Sequence, residues 1–512
     1  MDWKPKRLLD IRKPRNPRLV LSSQEIVAGE YATLSHCWGT NQDFLKLTSD
    51  TEASMIEGIP FTSLPKTFKD AIVTAKRLEI SYIWIDSSRI TQAGQGSARD
   101  WAEHVKDMPK IYQNCMINIA ADRATNPHAG AFAERQPSVV APCQIITGGE
   151  GEQLYTLMHD FDLTGAYRVA PLTQRGWVFQ ERMLSPRVVH LGMEQLWWEC
   201  TDIGFASEFL PTGLPRDHPQ FALGRVPFKI VEPVEKPTAG ANSSCTTLSM
   251  TDKWHSMVVH YSSLTLTFPE KDVFAALSGV AERYAALLDD EYIAGHFLSM
   301  MPQDLCWGFS ALERSRTLSH RAPTWSWASV SQSRDILVWF RPDQSTKALA
   351  SIVSHKVELL DQENPCGPIR YAEITLSALL LDCFRLDGHP AIRQHDKVLD
   401  DSELEYQKSS PPTWGLSKVV SEVTNPALFK DMPTDLSFLT PEIAIYPEKK
   451  NNFRKLRLVV QQVPNPAGTP EGQYFQRLGV FESTQEGSKV TAEGLTRLHE
   501  SGVIPLRNIT LI

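Results

Sequence analysis

The chain has 512 residues, of which 42% are hydrophobic and 22% charged, and its formal net charge is −8. This composition is typical of a globular protein of two or three domains and excludes a disordered chain. The negative charge disfavours a general nucleic-acid binder. The first twenty residues lack the apolar stretch of a secretory signal, and no run of about 18 apolar residues predicts a membrane span.

The eight cysteines are scattered and form no C-x-x-C pair, which disfavours a zinc ribbon or a redox dithiol. The fourteen histidines show neither H-x-x-x-H nor H-E-x-x-H spacing. We therefore predict no dedicated metal site. Free, reduced thiols indicate a cytoplasmic chain.

The first part of the chain alternates strand-like and helix-like patterns. In chain order it predicts a strand over 31–36, a helix capped by Ser63, a strand over 82–86, a helix over 98–113 and a strand over 116–121. The second helix should bury Trp101, Met108 and Tyr112 and be kinked at Pro109. This order is typical of an α/β fold, a small parallel sheet with flanking helices.

A short helix over 173–182 and a hairpin over 187–191 and 195–199 follow. We divide the chain into an α/β domain (1–204), a Pro/Gly/Ser-rich linker or loop (205–250), a helical segment packing on the first domain (251–330) and a β-rich C-terminal region (331–512).

Polar residues follow each predicted parallel strand. Ligands bind beyond the carboxyl ends of such strands, so this rim is the predicted site. As catalytic residues we predict His36, Asp86 and Glu103, because paired carboxylates suit an oxocarbenium-like centre. As substrate-binding residues we predict Ser35, Cys37, Trp38, Ser87, Arg89, Gln92, Asp122, Arg123, Arg175 and Trp177.

Structural interpretations stay open for these residues. His36 and Cys37 could pack a tight turn, Asp86 could cap a helix and Glu103 could be a solvated first-turn charge. Arg175 and Glu181 flank Trp177 and could form an ion pair. A serine or cysteine hydrolase is disfavoured, since no G-x-S-x-G elbow is present.

Four blocks together resemble the fungal heterokaryon-incompatibility (HET) domain family: YATLSHCWG (31–39), LPKTFKDAIVTAKRLEISYIWIDS (64–87), DWAEHVKDMPKIYQNCMINIAA (100–121) and RGWVFQERMLSPRVVHLGMEQLWWEC (175–200). LTFPEKDVFAALSGVAERY (266–284), RAPTWSWASV (321–330) and QRLGVFE (476–482) are similar to the extension of family members. The resemblance implies a fungal protein that senses non-self after cell fusion and triggers cell death.

The HET domain is distantly similar to Toll/interleukin-1-receptor (TIR) domains, some of which cleave the nicotinamide–ribose bond of NAD with a helix-borne glutamate. The resemblance thus implies NAD as a substrate, Glu103 or Glu181 as the carboxylate and the rim at His36 and Asp86 as the nucleotide pocket. It implies no other cofactor.

The chain departs from the family in one loop. Members commonly read WIDSLCIIQDD, whereas this chain reads WIDSSRITQAG, so Arg89 stands for a Cys and Ala93 for an Asp. An inactive copy or a new small-molecule reaction would account for this.

Three hypotheses follow. The first is a cell-death effector or signalling module that self-associates or binds a HET-domain partner and hydrolyses NAD. The second is a secondary-metabolite enzyme that uses the rim for a small molecule. The third is a non-catalytic interaction protein.

Overall fold

A computed structural model describes residues 3–41, 43–94, 96–136, 143–147, 153–157, 169–201, 204–208, 249–309, 321–330, 337–339, 347–348, 350–386, 389–392, 438–449, 452–463, 474–486 and 506–511. The chain forms two compact units, residues 1–267 with 275–287, and residues 268–274 with 288–512. The fold is mixed α/β. Most of the predicted 205–250 linker, residues 209–248, lies outside the described residues.

The first unit contains a mixed sheet flanked by helices. Its elements are β1 (Arg7–Asp10), β2 (Arg18–Leu21), β3 (Tyr31–Ser35), α1 (Glu52–Glu57), α2 (Lys66–Arg77), β4 (Tyr82–Ile85), α3 (Asp86–Arg89), α4 (Ser97–Gln113), β5 (Ile117–Ala120), β6 (Cys143–Thr147), β7 (Gln153–Leu157), α5 (Gly176–Leu184), β8 (Arg187–Leu191), β9 (Leu196–Cys200), β10 (Gly204–Ser207) and α6 (Met250–Ser262).

The sheet order is β10-β9-β8-β5-β3-β4-β1-β2. The predicted parallel arrangement is confirmed, because β3 runs parallel to both β4 and β5, and β5 runs parallel to β8. The hairpin of β8 and β9 is also confirmed. All four parallel strands therefore end at one edge, where the predicted rim residues follow them.

One face of the sheet packs against α2 in an apolar core that includes Leu34, Ile83, Phe68 and Ile72. Helix α2 begins at Lys66 with Pro65 at its N-cap, and no side chain caps it. The prediction of a Ser63 cap was wrong, since its hydroxyl donates to the Pro60 carbonyl at 2.7 Å.

Helix α4 runs through Pro109, and its buried residues include His104, Met108, Ile111 and Tyr112. The prediction that Trp101 belongs to this face was wrong, because its side chain is 43% exposed. The helix thus turns a mixed polar and apolar face inward, which apolar periodicity alone does not reveal.

The second unit is built mainly from β-strands. Its elements are α7 (Pro269–Ala275), β11 (Tyr292–Ile293), β12 (His296–Phe297), β13 (Trp307–Phe309), β14 (Leu337–Trp339), β15 (Lys347–Ala348), β16 (Ser351–Leu359), β17 (Ile369–Leu386), β18 (His389–Ile392), β19 (Phe438–Lys449), β20 (Asn452–Val463), β21 (Tyr474–Glu486) and β22 (Leu506–Leu511). Helix α8 (Ser278–Leu288) follows α7 along the chain but belongs, apart from its last residue, to the first unit. Pairing of β17 with both β19 and β22 closes a ring through β20 and β21. No helix in the described part of the chain is long and apolar enough to cross a membrane.

Candidate functional site

The rim contains His36, Trp38 and Asp86. The Trp38 indole donates to Asp86 Oδ2 at 2.8 Å, and the Ser87 backbone N–H donates to Asp86 Oδ1 at 2.6 Å. The Asp86 side chain keeps 24% of its surface exposed, so this carboxylate is both held and open to solvent. A carboxylate fixed by two donors at the edge of a sheet suits charge stabilisation in a ligand.

His36 is buried, and neither ring nitrogen has a hydrogen-bond partner in the described part of the chain. It lies edge-on to Phe68, with ring centroids 5.0 Å apart. Burial lowers the pKa of His36 to about 4, although the nearby Asp86 charge opposes this. The 3.5 Å separation between His36 Nδ1 and Asp86 Oδ1 is therefore not an ion pair at neutral pH.

Beneath the rim lies a second group, the buried polar layer, formed by Ser35, Tyr112, Asn118 and Glu181. The Ser35 hydroxyl donates a short hydrogen bond to Glu181 Oε2 and accepts from Asn118 Nδ2 at 2.9 Å. Tyr112 of α4 also hydrogen-bonds Glu181. The layer joins β3, β5, α4 and α5 around one carboxyl group.

The ionisation of Glu181 follows from this setting. Burial raises the pKa of Glu181 to about 7, the Ser35 hydrogen bond opposes the rise, and the Asp86 charge adds to it. Arg175 opposes the rise and donates a short hydrogen bond to the His36 carbonyl. A carboxyl group that titrates near neutral pH is suited to proton transfer.

Two predicted site residues, Asp122 and Cys37, lie at a buried ionic network. Asp122 accepts from His190 at 3.0 Å, and the Arg182 guanidinium makes two 2.7 Å hydrogen bonds to Glu199. Burial raises the pKa of Cys37 to about 11, so its thiol is not an activated nucleophile.

The other predicted residues lie in different settings. Arg123 donates to the carbonyls of Gly130 and Phe132, and Gln92 donates to the Ile90 carbonyl. Trp177 is partly buried on α5. Ser87 and Arg89 are fully buried on α3.

Glu103 does not lie at the rim. Its carboxylate pairs with Lys6 at 2.7 Å and Arg99 at 3.0 Å, and its side chain is 40% exposed. The hydrogen bond from Lys6 lowers the pKa of Glu103. This is the solvated surface charge that the sequence left open as an alternative.

Tyr112, Asn118, His190 and Glu199 are buried polar residues that the sequence did not single out. A signal for three of them exists, because each interrupts an otherwise apolar predicted strand. Tyr112 gave no such signal, since it also fits the apolar face of a helix.

A cavity of about 520 Å³ lies in the second unit, beside Met301 and residues 350–355. It contains none of the predicted site residues. Its histidine, His355, pairs with Glu291 at 3.0 Å. This cavity therefore does not coincide with the predicted site.

Residues 31–181 match the family model of the heterokaryon incompatibility protein (HET). The protein carries a HET domain. The HET match begins at Tyr31, the first residue of β3, and ends at Glu181, so it spans the rim and the buried polar layer. Searches of curated proteins and of solved structures gave no match.

Proposed function

We propose that this HET protein is an effector of fungal non-self recognition and cell death that cleaves the nicotinamide–ribose bond of NAD. The observation that carries the proposal is Glu181, a helix-borne carboxyl with a pKa of about 7 below the partly exposed Asp86. The likeness of HET to TIR domains supports the same assignment, since a helix-borne glutamate serves that reaction in some TIR domains.

In the proposed reaction the carboxyl groups of Asp86 and Glu181 have different roles. Cleavage breaks the bond between ribose C1′ and the nicotinamide nitrogen, and nicotinamide leaves as a neutral base. Asp86 stabilises the positive charge that develops on the ribose. Water forms the new C1′–O bond, and its proton passes to Glu181. Ionised Glu181 is available for this at neutral pH because its pKa is about 7.

The test is release of nicotinamide from NAD by the purified protein. Asp86→Asn and Glu181→Gln should each lower the rate by about 10²- to 10⁴-fold, because each removes a charge or a proton acceptor. Glu103→Gln is the matched control and should retain the rate, since Glu103 pairs with Lys6 and Arg99. A wild-type protein without turnover, or loss of turnover in the control alone, would contradict the assignment.

Expression in a fungal host tests the effector role separately. Induced wild-type protein should arrest growth, and Glu181→Gln should not. Arrest by both proteins would support an effector that acts without NAD cleavage. Normal growth with active NAD cleavage in vitro would contradict the effector role.

A HET-like enzyme of secondary metabolism is the second candidate. Arg89 favours it, because a buried cation stands where family members commonly have a Cys. Under this hypothesis the pure protein leaves NAD intact and its gene neighbours encode biosynthetic enzymes.

A further inference from the structure

The segment from β4 to α3 contains three buried residues whose side chains carry hydrogen-bond donors. The Trp84 indole, the Ser87 hydroxyl and all three guanidinium nitrogens of Arg89 have no hydrogen-bond partner in the described part of the chain. Each of the three residues is 0% exposed. Buried donors are rarely left unsatisfied, and a ligand with several acceptor oxygens would satisfy donors of this kind.

Among these three residues, Arg89 carries a positive charge. Burial lowers its pKa to about 9, and the Arg7 charge adds to this, so Arg89 remains a cation at neutral pH. Asp100 does not compensate it, because this carboxylate accepts from Arg7 Nη1 at 2.9 Å and from the Thr91 N–H at 2.8 Å. Arg7 itself donates to the Arg89 carbonyl at 3.2 Å. Arg7 thus contacts the backbone of Arg89, and its positive charge does not neutralise the Arg89 guanidinium.

A buried cation without a counter-charge is strongly unfavourable, whereas a guanidinium group matches the two oxygens of a carboxylate or phosphate. We propose that Arg89 binds the oxyanion, a phosphate or carboxylate group, of a small ligand, and that the Ser87 hydroxyl donates a further hydrogen bond to it.

This oxyanion site is independent of NAD cleavage, because it concerns equilibrium binding by α3. The family resemblance implies a Cys at the position of Arg89 in other members. A neutral Cys thiol at this position needs no counter-charge. Replacing Arg89 by Cys should therefore remove the site while keeping a side chain that the fold accepts.

The experiment measures thermal unfolding of the full-length protein by tryptophan fluorescence. The buffers contain sodium phosphate, sodium acetate or sodium chloride at equal ionic strength. Phosphate or acetate should raise the Tm of the wild type over chloride by about 3 °C and saturate with concentration. A response to phosphate alone assigns a phosphate ligand, and a response to acetate alone assigns a carboxylate.

Arg89→Cys and Arg89→Met should lose this anion-specific rise. Arg99→Met is the matched control, because the Arg99 side chain is 87% exposed, and it should respond as the wild type does. Equal responses in the wild type and Arg89→Cys would overturn the proposal. So would a wild type whose Tm is the same in all three salts. If Arg89→Met fails to fold, the binding of phosphate and acetate to the wild type and to Arg89→Cys is compared by equilibrium dialysis. Equal binding to the two proteins would overturn the proposed oxyanion site.

Discussion

Burial shifts the pKa values of two groups near the rim in opposite directions. His36 is a base whose charged form is destabilised by burial, whereas Glu181 is an acid that holds its proton to about pH 7. The Asp86 charge contributes to the pKa of both groups. At the residue scale the candidate site therefore combines Asp86 with two buried groups, His36 and Glu181, whose pKa values are shifted.

The shifted pKa of Glu181 predicts a pH-dependent stability. The folded protein keeps the proton to about pH 7, while the unfolded chain loses it near 4.5. The contribution to the free energy of unfolding is therefore fully present below pH 4.5 and is lost as the pH rises through 7. Urea unfolding from pH 4.5 to 7.5 should show the difference between wild type and Glu181→Gln falling by about 3 kcal/mol.

His36→Asn is the control of opposite sign. The pKa of His36 falls on folding from 6.5 to about 4, so its contribution is present above pH 6.5 and is lost as the pH falls. Parallel stability curves for the wild type and Glu181→Gln would show that Glu181 does not titrate in this range.

At the scale of elements, α5 joins several parts of the first unit through consecutive buried polar residues. Gln180 accepts from the Gly279 N–H of α8 at 2.7 Å, Glu181 binds Ser35 of β3, and Arg182 binds Glu199 of β9. A short helix with so many polar contacts is positioned by hydrogen bonds as much as by apolar packing. This fixes the carboxyl of Glu181 against the sheet.

The Arg182–Glu199 pair should therefore matter for stability. Both side chains are at most 3% exposed, so removing one partner leaves a buried charge. We expect Arg182→Leu to lower the free energy of unfolding by about 3–5 kcal/mol in urea at pH 7. The same substitution at exposed Arg99 is the control and should change little. The double change Arg182→Leu with Glu199→Leu should recover part of the loss, and simple additivity would contradict this.

At the scale of the whole molecule, the chain leaves the first unit after Thr267 and returns to it for 275–287. The returning α8 contributes buried Val280 and Ala281, and Tyr284 packs on Trp254 with ring centroids 5.3 Å apart. The first unit thus includes a segment that lies outside the HET match.

This connectivity predicts the shortest stable fragment. A fragment ending at residue 290 should be more stable in urea than one ending at 267 by about 3 kcal/mol or more, because the shorter one loses the burial of Val280 and Tyr284. Tyr284→Ala in the longer fragment is the control and should fall between the two. Equal unfolding midpoints would show that α8 does not belong to the first unit.

The sequence alone determined the α/β class, the succession of strands and helices along the chain, the edge at which the polar ends of the parallel strands meet and the resemblance to the HET family. These properties depend on local periodicity, on the right-handed connection of parallel strands and on contiguous motifs. Tertiary structure decided which helix-borne carboxyl group lies in the buried polar layer beneath the rim. Glu103 and Glu181 both lie on helices, but the contact between Ser35 and Glu181 spans 146 residues, and Glu103 meets Lys6 instead. It also decided the burial of His36 and Arg89, and with it the lowered pKa of each, because burial depends on which distant elements cover a residue.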